Sequence, residues 1–234
     1  MDADEVRSRS PSERFGHSCS LVAQSGSILL FGGCLVGRAE VADGEAQLAE
    51  DELSGELFCF NTHNGHYSWR ALSEHCSGGP PSPRYGHVAC VVGDGDVLAL
   101  RRGALPKLMI YGGLGWAEES GLARSQSSRP QPLSPTAVPP AAPSPPRSVR
   151  PLSAVFILDL RTLAWSSPRL GAPGRNAVQP FPRWGAALCA VGATGSEVLL
   201  FGGCAEQDAP DAALAFELDT APDAVLLRQL DAAI

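Results

Sequence analysis

The chain of 234 residues contains a single lysine, Lys107, and every other basic side chain is arginine. Acidic residues outnumber basic ones, 25 to 18, for a net charge of -7. A surface so poor in positive charge excludes nucleic acid and anionic membrane as main partners. Aromatic residues make up only 6% of the chain, so its core must be built from Val, Leu and Ala. No apolar run approaches the roughly 20 residues of a membrane span. Met1-Asp2-Ala3-Asp4-Glu5 opens the chain without an apolar h-region behind it, so no signal peptide is expected.

The seven cysteines are odd in number and show no paired spacing, which predicts reduced thiols, most of them small buried hydrophobes, and a cytoplasmic location. A metal is not expected. His63, His66, His75 and Cys76 lie in turn-rich sequence and lack the closed four-ligand spacing of structural zinc. The chain has no nucleophile elbow, no phosphate loop and no defensible pair of spaced carboxylates. No catalytic residue, no cofactor and no enzymatic activity are therefore expected.

What the chain does have is one short phrase written three times: Leu29-Leu30-Phe31-Gly32-Gly33, Met109-Ile110-Tyr111-Gly112-Gly113 and Leu199-Leu200-Phe201-Gly202-Gly203. An apolar run closed by glycines reads as a buried strand ending at a close backbone approach. Each copy follows an opening mark, Arg14-Phe15-Gly16-His17, Arg84-Tyr85-Gly86-His87 or Arg183-Trp184-Gly185-Ala186, and a short semi-buried strand. Two further strands come after it: Leu57–Phe60 and Tyr67–Leu72, then 155–159 and Ala164-Trp165-Ser166, then Ala213–Leu218 and Ala224–Leu230. Trp69 and Trp165 mark the fourth strand, and Val225 takes that place in the third copy.

These marks resemble the kelch repeat: Arg-x-Gly-His, a run into di-glycine, then Phe60-Asn61, Leu158-Asp159 with Thr162, or Leu218-Asp219-Thr220, then Trp. The resemblance implies an all-β fold, a kelch-type β-propeller segment of three four-stranded antiparallel blades. It divides the chain into a flexible lead-in (1–13), blade 1 (14–72), blade 2 (73–166) and blade 3 (167–234), the last degenerate at its final strand. Gly32, Gly33, Trp69, Gly112, Gly113, Trp165, Gly202 and Gly203 are the structural repeat marks. Propellers have about four to eight blades, so three make an incomplete ring or arc. Additional blades of a longer chain or self-association would complete it.

Alternation of strand direction puts the loops between second and third strands, about 34–56 and 114–152, on the same face as the connections 73–83 and 168–182. The connection 93–106 emerges on the other face. Loops on a rigid scaffold are where binding residues concentrate, so the decorated face is the expected interaction surface. The larger loop is a proline-rich insertion with Pro-x-x-Pro at 132–135, 140–143 and 143–146. Its composition suits a solvated disordered tract, and 130–151 would fit an SH3- or WW-type domain.

Arg14, Arg84 and Arg183 open the innermost strands, near the mouth of the central channel, where guanidinium groups suit a carboxylate, phosphate or acidic peptide. Their competing reading is architecture, hydrogen bonds within or between blades. The role the resemblance implies is a non-enzymatic scaffold or adaptor that binds a protein partner. The alternative is part of a kelch-type enzyme, such as a sugar-acid isomerase or a specifier protein, with an Arg-lined channel mouth.

Overall fold

The run Lys107–Tyr111 is apolar at every position after its lysine because both faces of that strand are covered. Strands that alternate instead have one covered face. This difference organises the molecule, which is almost wholly β-structure. The computed structural model describes residues 9–36, 41–42, 45–46, 52–62, 67–93, 106–116, 149–171, 181–191, 197–205, 214–218 and 224–229.

Among the described residues three sheets of four or five strands follow one another along the chain, beside smaller ones of two or three strands. The first is the antiparallel meander Ser18–Val22, Ser27–Phe31, Leu57–Asn61 and Ser68–Ala71. The second runs Val88–Val92, Lys107–Tyr111, Val155–Asp159 and Ala164–Ser166. The third runs Ala187–Val191, Glu197–Phe201, Leu214–Leu218 and Ala224–Gln229. The second and third each carry a fifth, parallel strand on the outer edge, Ser77–Gly78 beside Ala164–Trp165 and Arg169–Gly171 beside Ala224–Leu226. These edge strands come from the segments read from sequence as plain connections. They are too short to show any period.

Two apolar clusters lie between the sheets. Val22, Leu29, Phe31, Leu57 and Cys59 of the first sheet meet Leu108, Ile110, Leu158 and Trp165 of the second. From the other side of that second sheet Cys90, Val92, Met109, Tyr111, Val155 and Ile157 meet Val198 and Leu200 of the third. Alternate residues of one strand thus serve different interfaces. Among the described residues no helix is long and apolar enough to cross a membrane.

Two details depart from expectation. Leu218 of the Asp-x-x-Thr mark pairs with Val225, but counted from the di-glycine Val198 pairs with Phe216 and Phe216 with Leu227, as Leu108 pairs with Leu158 and Leu158 with Trp165, so the register of the third sheet runs two residues out of step with its mark. Within the stretch read as the proline-rich insertion, Leu114–Trp116 and Val149–Pro151 pair antiparallel. The Pro-x-x-Pro motifs at 132–146, His63, His66 and most of the connection 93–106 lie outside the described residues.

Candidate functional site

Each opening mark forms a two-residue strand rather than a coil. Arg14–Phe15 pairs with Cys34–Leu35, Arg84–Tyr85 with Leu114–Gly115, and Arg183–Trp184 with Cys204–Ala205. The residues just past a di-glycine are therefore tied back to the opener of the same sheet. Polar backbone at such an edge needs partners, and this short ladder supplies some of them.

The arginine side chains turn into this joint. Arg14 Nη1 donates to Gly32 O at 3.2 Å, Arg84 Nη1 to Gly112 O at 3.0 Å and Arg183 Nη1 to Gly202 O at 2.8 Å. In all three sheets the arginine is bonded to the first glycine of its own di-glycine. Arg84 is 2% exposed and Arg183 3%. The guanidinium of Arg84 also lies 5.0 Å from the ring centre of Phe156 and donates to Ser82 O and Oγ. That of Arg14 bonds Ser54 Oγ and Glu56 Oε2, and Glu56 pairs in turn with Arg9. Among the described residues Arg183 Nε is buried without a hydrogen-bond partner.

A second set of bonds joins each sheet to the next. Gly33 N donates to Arg84 O at 2.8 Å and Gly113 N to Arg183 O at 2.9 Å. Arg84 N donates to Ser54 O and Arg183 N to Leu152 O. The central glycines of the openers form a backbone chain, Gly185 N to Gly86 O and Gly86 N to Gly16 O, both 2.8 Å. Sequence reading found the glycines and arginines of this joint but missed Ser54 and Leu152. Their signal was spacing, since each stands three residues before a third strand, at Leu57 and Val155.

The two opener histidines have different surroundings. His87 is 5% exposed, bonds Ser18 Oγ through Nε2 at 2.8 Å and stands edge-on to Phe31. Burial, then the charge of Arg84 and His17, pulls its pKa down to about 3, so the ring is neutral. His17 is exposed, because no described sheet precedes it.

Both long insertions leave from this edge. One departs after Cys34–Leu35 and closes where Leu35 N meets Glu52 O and Cys34 bridges Leu53. The other departs after Trp116 and returns at Val149, its register partner. The opposite edge carries Val92 and Lys107, also partners, at the start of the connection read as facing the other way. Among the described residues no group of three His, Cys, Asp or Glu stands together as a metal site. His75 is exposed in a single turn of 3-10 helix.

No protein-family model matches the sequence. An F-box/kelch-repeat protein of Arabidopsis thaliana is 30% identical over 112 residues, 47% of this chain and 18% of that protein. The solved structure of YjhT, a kelch-type β-propeller, superposes with a TM-score of 0.50 at 14% identity, covering 93% of this chain and 52% of that one. A chain in the cryo-electron-microscopy structure of RAG with one melted and one unmelted RSS gives 0.51 at 15% identity, covering 95% and 54%. The chain thus spans about half of these solved structures and under a fifth of the curated relative. At such identities the structural likeness speaks for the fold, which is β-propeller-like.

Proposed function

We propose that this chain is a kelch-repeat protein of three units, 14–72, 73–166 and 167–234, that works as a non-enzymatic interaction scaffold. Its partner is a protein, held by the edge that carries the long insertions. The observation that carries the reading is their shared origin: both spring from short ladders beside the arginine–glycine joint, where a rigid base can present variable loops. The similarity to an F-box/kelch-repeat protein supports the same class of role. The seven free thiols suit a reducing cytoplasm. Under this reading the tract 130–151 is a docking segment for an SH3- or WW-type domain.

Because Trp116 and Val149 are register partners, residues 117–148 can be replaced by a two-residue Asn-Gly turn without disturbing the sheet. Affinity capture with the full chain, this variant and a matching replacement of 37–51 tests the reading. Loss of captured proteins with either replacement, at an unchanged melting temperature, is expected. The same set captured by all three forms would end it.

A second reading, a kelch-type enzyme fragment, rests on the buried Arg183 Nε, which has no partner among the described residues. It makes Arg14, Arg84 and Arg183 an anion-binding group at a channel mouth. Calorimetric titration with sugar acids and inorganic phosphate tests it: saturable heat lost in Arg183→Gln, with folding intact, would favour the enzyme over the scaffold.

A further inference from the structure

The three sheets have the same marks but not the same surroundings. Phe31 and Tyr111, which precede the first two di-glycines, are 1% and 0% exposed, while their counterpart Phe201 is 66% exposed. Cys90 is 8% exposed and its counterpart Cys189 is exposed. An added Cβ on Gly32 would meet Arg84 O at 2.7 Å, and one on Gly112 would overlap Arg183 O, yet one on Gly202 meets nothing within 4 Å. Among the described residues, Gly203 N and Gly185 O make no hydrogen bond, although Gly33 N, Gly113 N, Gly16 O and Gly86 O all do.

The first sheet shows the complementary deficit on its opposite face. Leu21, the counterpart of Val91, is 59% exposed, and Phe15, the counterpart of Tyr85, is 53% exposed. His17 is exposed where His87 is buried against Phe31. Of the large apolar side chains left in solvent, Phe15 and Leu21 lie on the leading face, Trp184 and Phe201 on the trailing one. Each face is missing what the other presents. Phe201 matches the role Phe31 plays against His87, Trp184 that of Phe15 beside Tyr85, and Gly203 N that of Gly33 N under an opener carbonyl.

We propose that the trailing face of the third sheet docks the leading face of the first sheet of a second copy of this chain, closing a two-copy ring. The inference is independent of what the loop-bearing edge binds. It continues an interface that the chain already builds twice, once around each apolar cluster. The contact is heterologous, and such contacts close into a ring when the rotation per copy allows it. The chain covers 52% of a β-propeller chain of the same fold, so two copies supply about one ring. In the ring the Arg14 carbonyl of one copy accepts from Gly203 N of the other, and Gly185 O accepts from Gly16 N.

Sedimentation velocity on the full chain tests the proposal, with twice the 24.4 kDa chain mass expected. Phe201→Asp and Leu21→Asp, both at exposed sites, should each halve the mass while keeping the circular dichroism spectrum. Mixing the two variants should restore a two-chain species, because one sound trailing face and one sound leading face remain. Alkylation offers a second readout: Cys189 should react slowly in the native chain and quickly in Phe201→Asp, with buried Cys90 as the unreactive internal reference. A single-chain mass at every concentration would overturn the proposal and give the face to another segment or protein. So would a Leu21→Asp variant that stays two-chained, since the trailing faces would then pair with each other. Mass that grows without limit would overturn ring closure.

Discussion

Gly112 lies so close to the carbonyl of Arg183 that no side chain fits between the second sheet and the third. Its φ is +67°, and that of Gly202 is +68°, so backbone geometry penalises alanine equally at both positions. The left-handed region costs a non-glycine residue about 1–2 kcal/mol. Gly112→Ala adds an overlap with backbone, of the kind that costs a further ~1–3 kcal/mol in a packed core. We therefore expect Gly112→Ala to lower the urea midpoint clearly more than Gly202→Ala, measured in the Phe201→Asp background. Equal losses would mean that the inter-sheet joint is looser than its geometry.

Arg84 is among the largest fully buried side chains, and its partners are backbone and side-chain oxygens with the Phe156 ring. Truncation leaves a cavity and strands a buried carbonyl, together about 3 kcal/mol or more. Arg84→Ala should unfold well below the parent in chemical denaturation. Arg84→Lys should recover only part of the loss, because an ammonium cannot reproduce the forked geometry. The exposed Arg161→Ala is the control and should change stability by less than about 0.5 kcal/mol.

His87 makes stability depend on pH. Its folded pKa is depressed from 6.5 to about 3 by burial, Arg84 and His17, so the unfolded chain binds the proton more readily. The stabilisation is complete above about pH 6.5 and is lost progressively as pH falls toward 3. The denaturation midpoint should drop between pH 7 and pH 5, and His87→Gln should flatten that drop. An unchanged slope in the variant would place the titration elsewhere.

Asp159 acts in a lower window. Its Oδ1 accepts the backbone N–H groups of Arg161 and Thr162, both at 2.9 Å, closing the turn into the fourth strand of the second sheet. Burial works against its ionisation, but those bonds, the Thr162 hydroxyl and the charge of Lys107 outweigh it and lower the pKa below 3.8. Its contribution is present above 3.8 and disappears as pH falls through the depressed folded value. Asp159→Ala should cost about 1 kcal/mol at pH 7, and Asp159→Asn, which keeps an acceptor, should cost less.

The strands were legible because each carries its own apolar run and its own punctuation. Leu29–Phe31 and Met109–Tyr111 end in glycines that only a close backbone approach requires, and the register confirms strands at both. Even the boundaries of the last two strands fall within a residue of their reading, at Leu214 and Gln229. The outer parallel strands were not legible. Ser77–Gly78 has no pattern of its own, and its partner Ala164–Trp165 is far along the chain.

The arginine–glycine joint was half legible. Sequence alone determined that three arginines recur at three openers, because the same local chemistry is written each time. It could not say that all three guanidinium groups bond the first carbonyl of their own di-glycine, since that depends on strands folding back. Nor could it separate Phe31 and Tyr111 from Phe201. All three end a strand before two glycines, and the sequence assigns them one role. Burial is decided by whether another sheet packs against the face, and in this chain two of the three faces are covered by the sheet that follows.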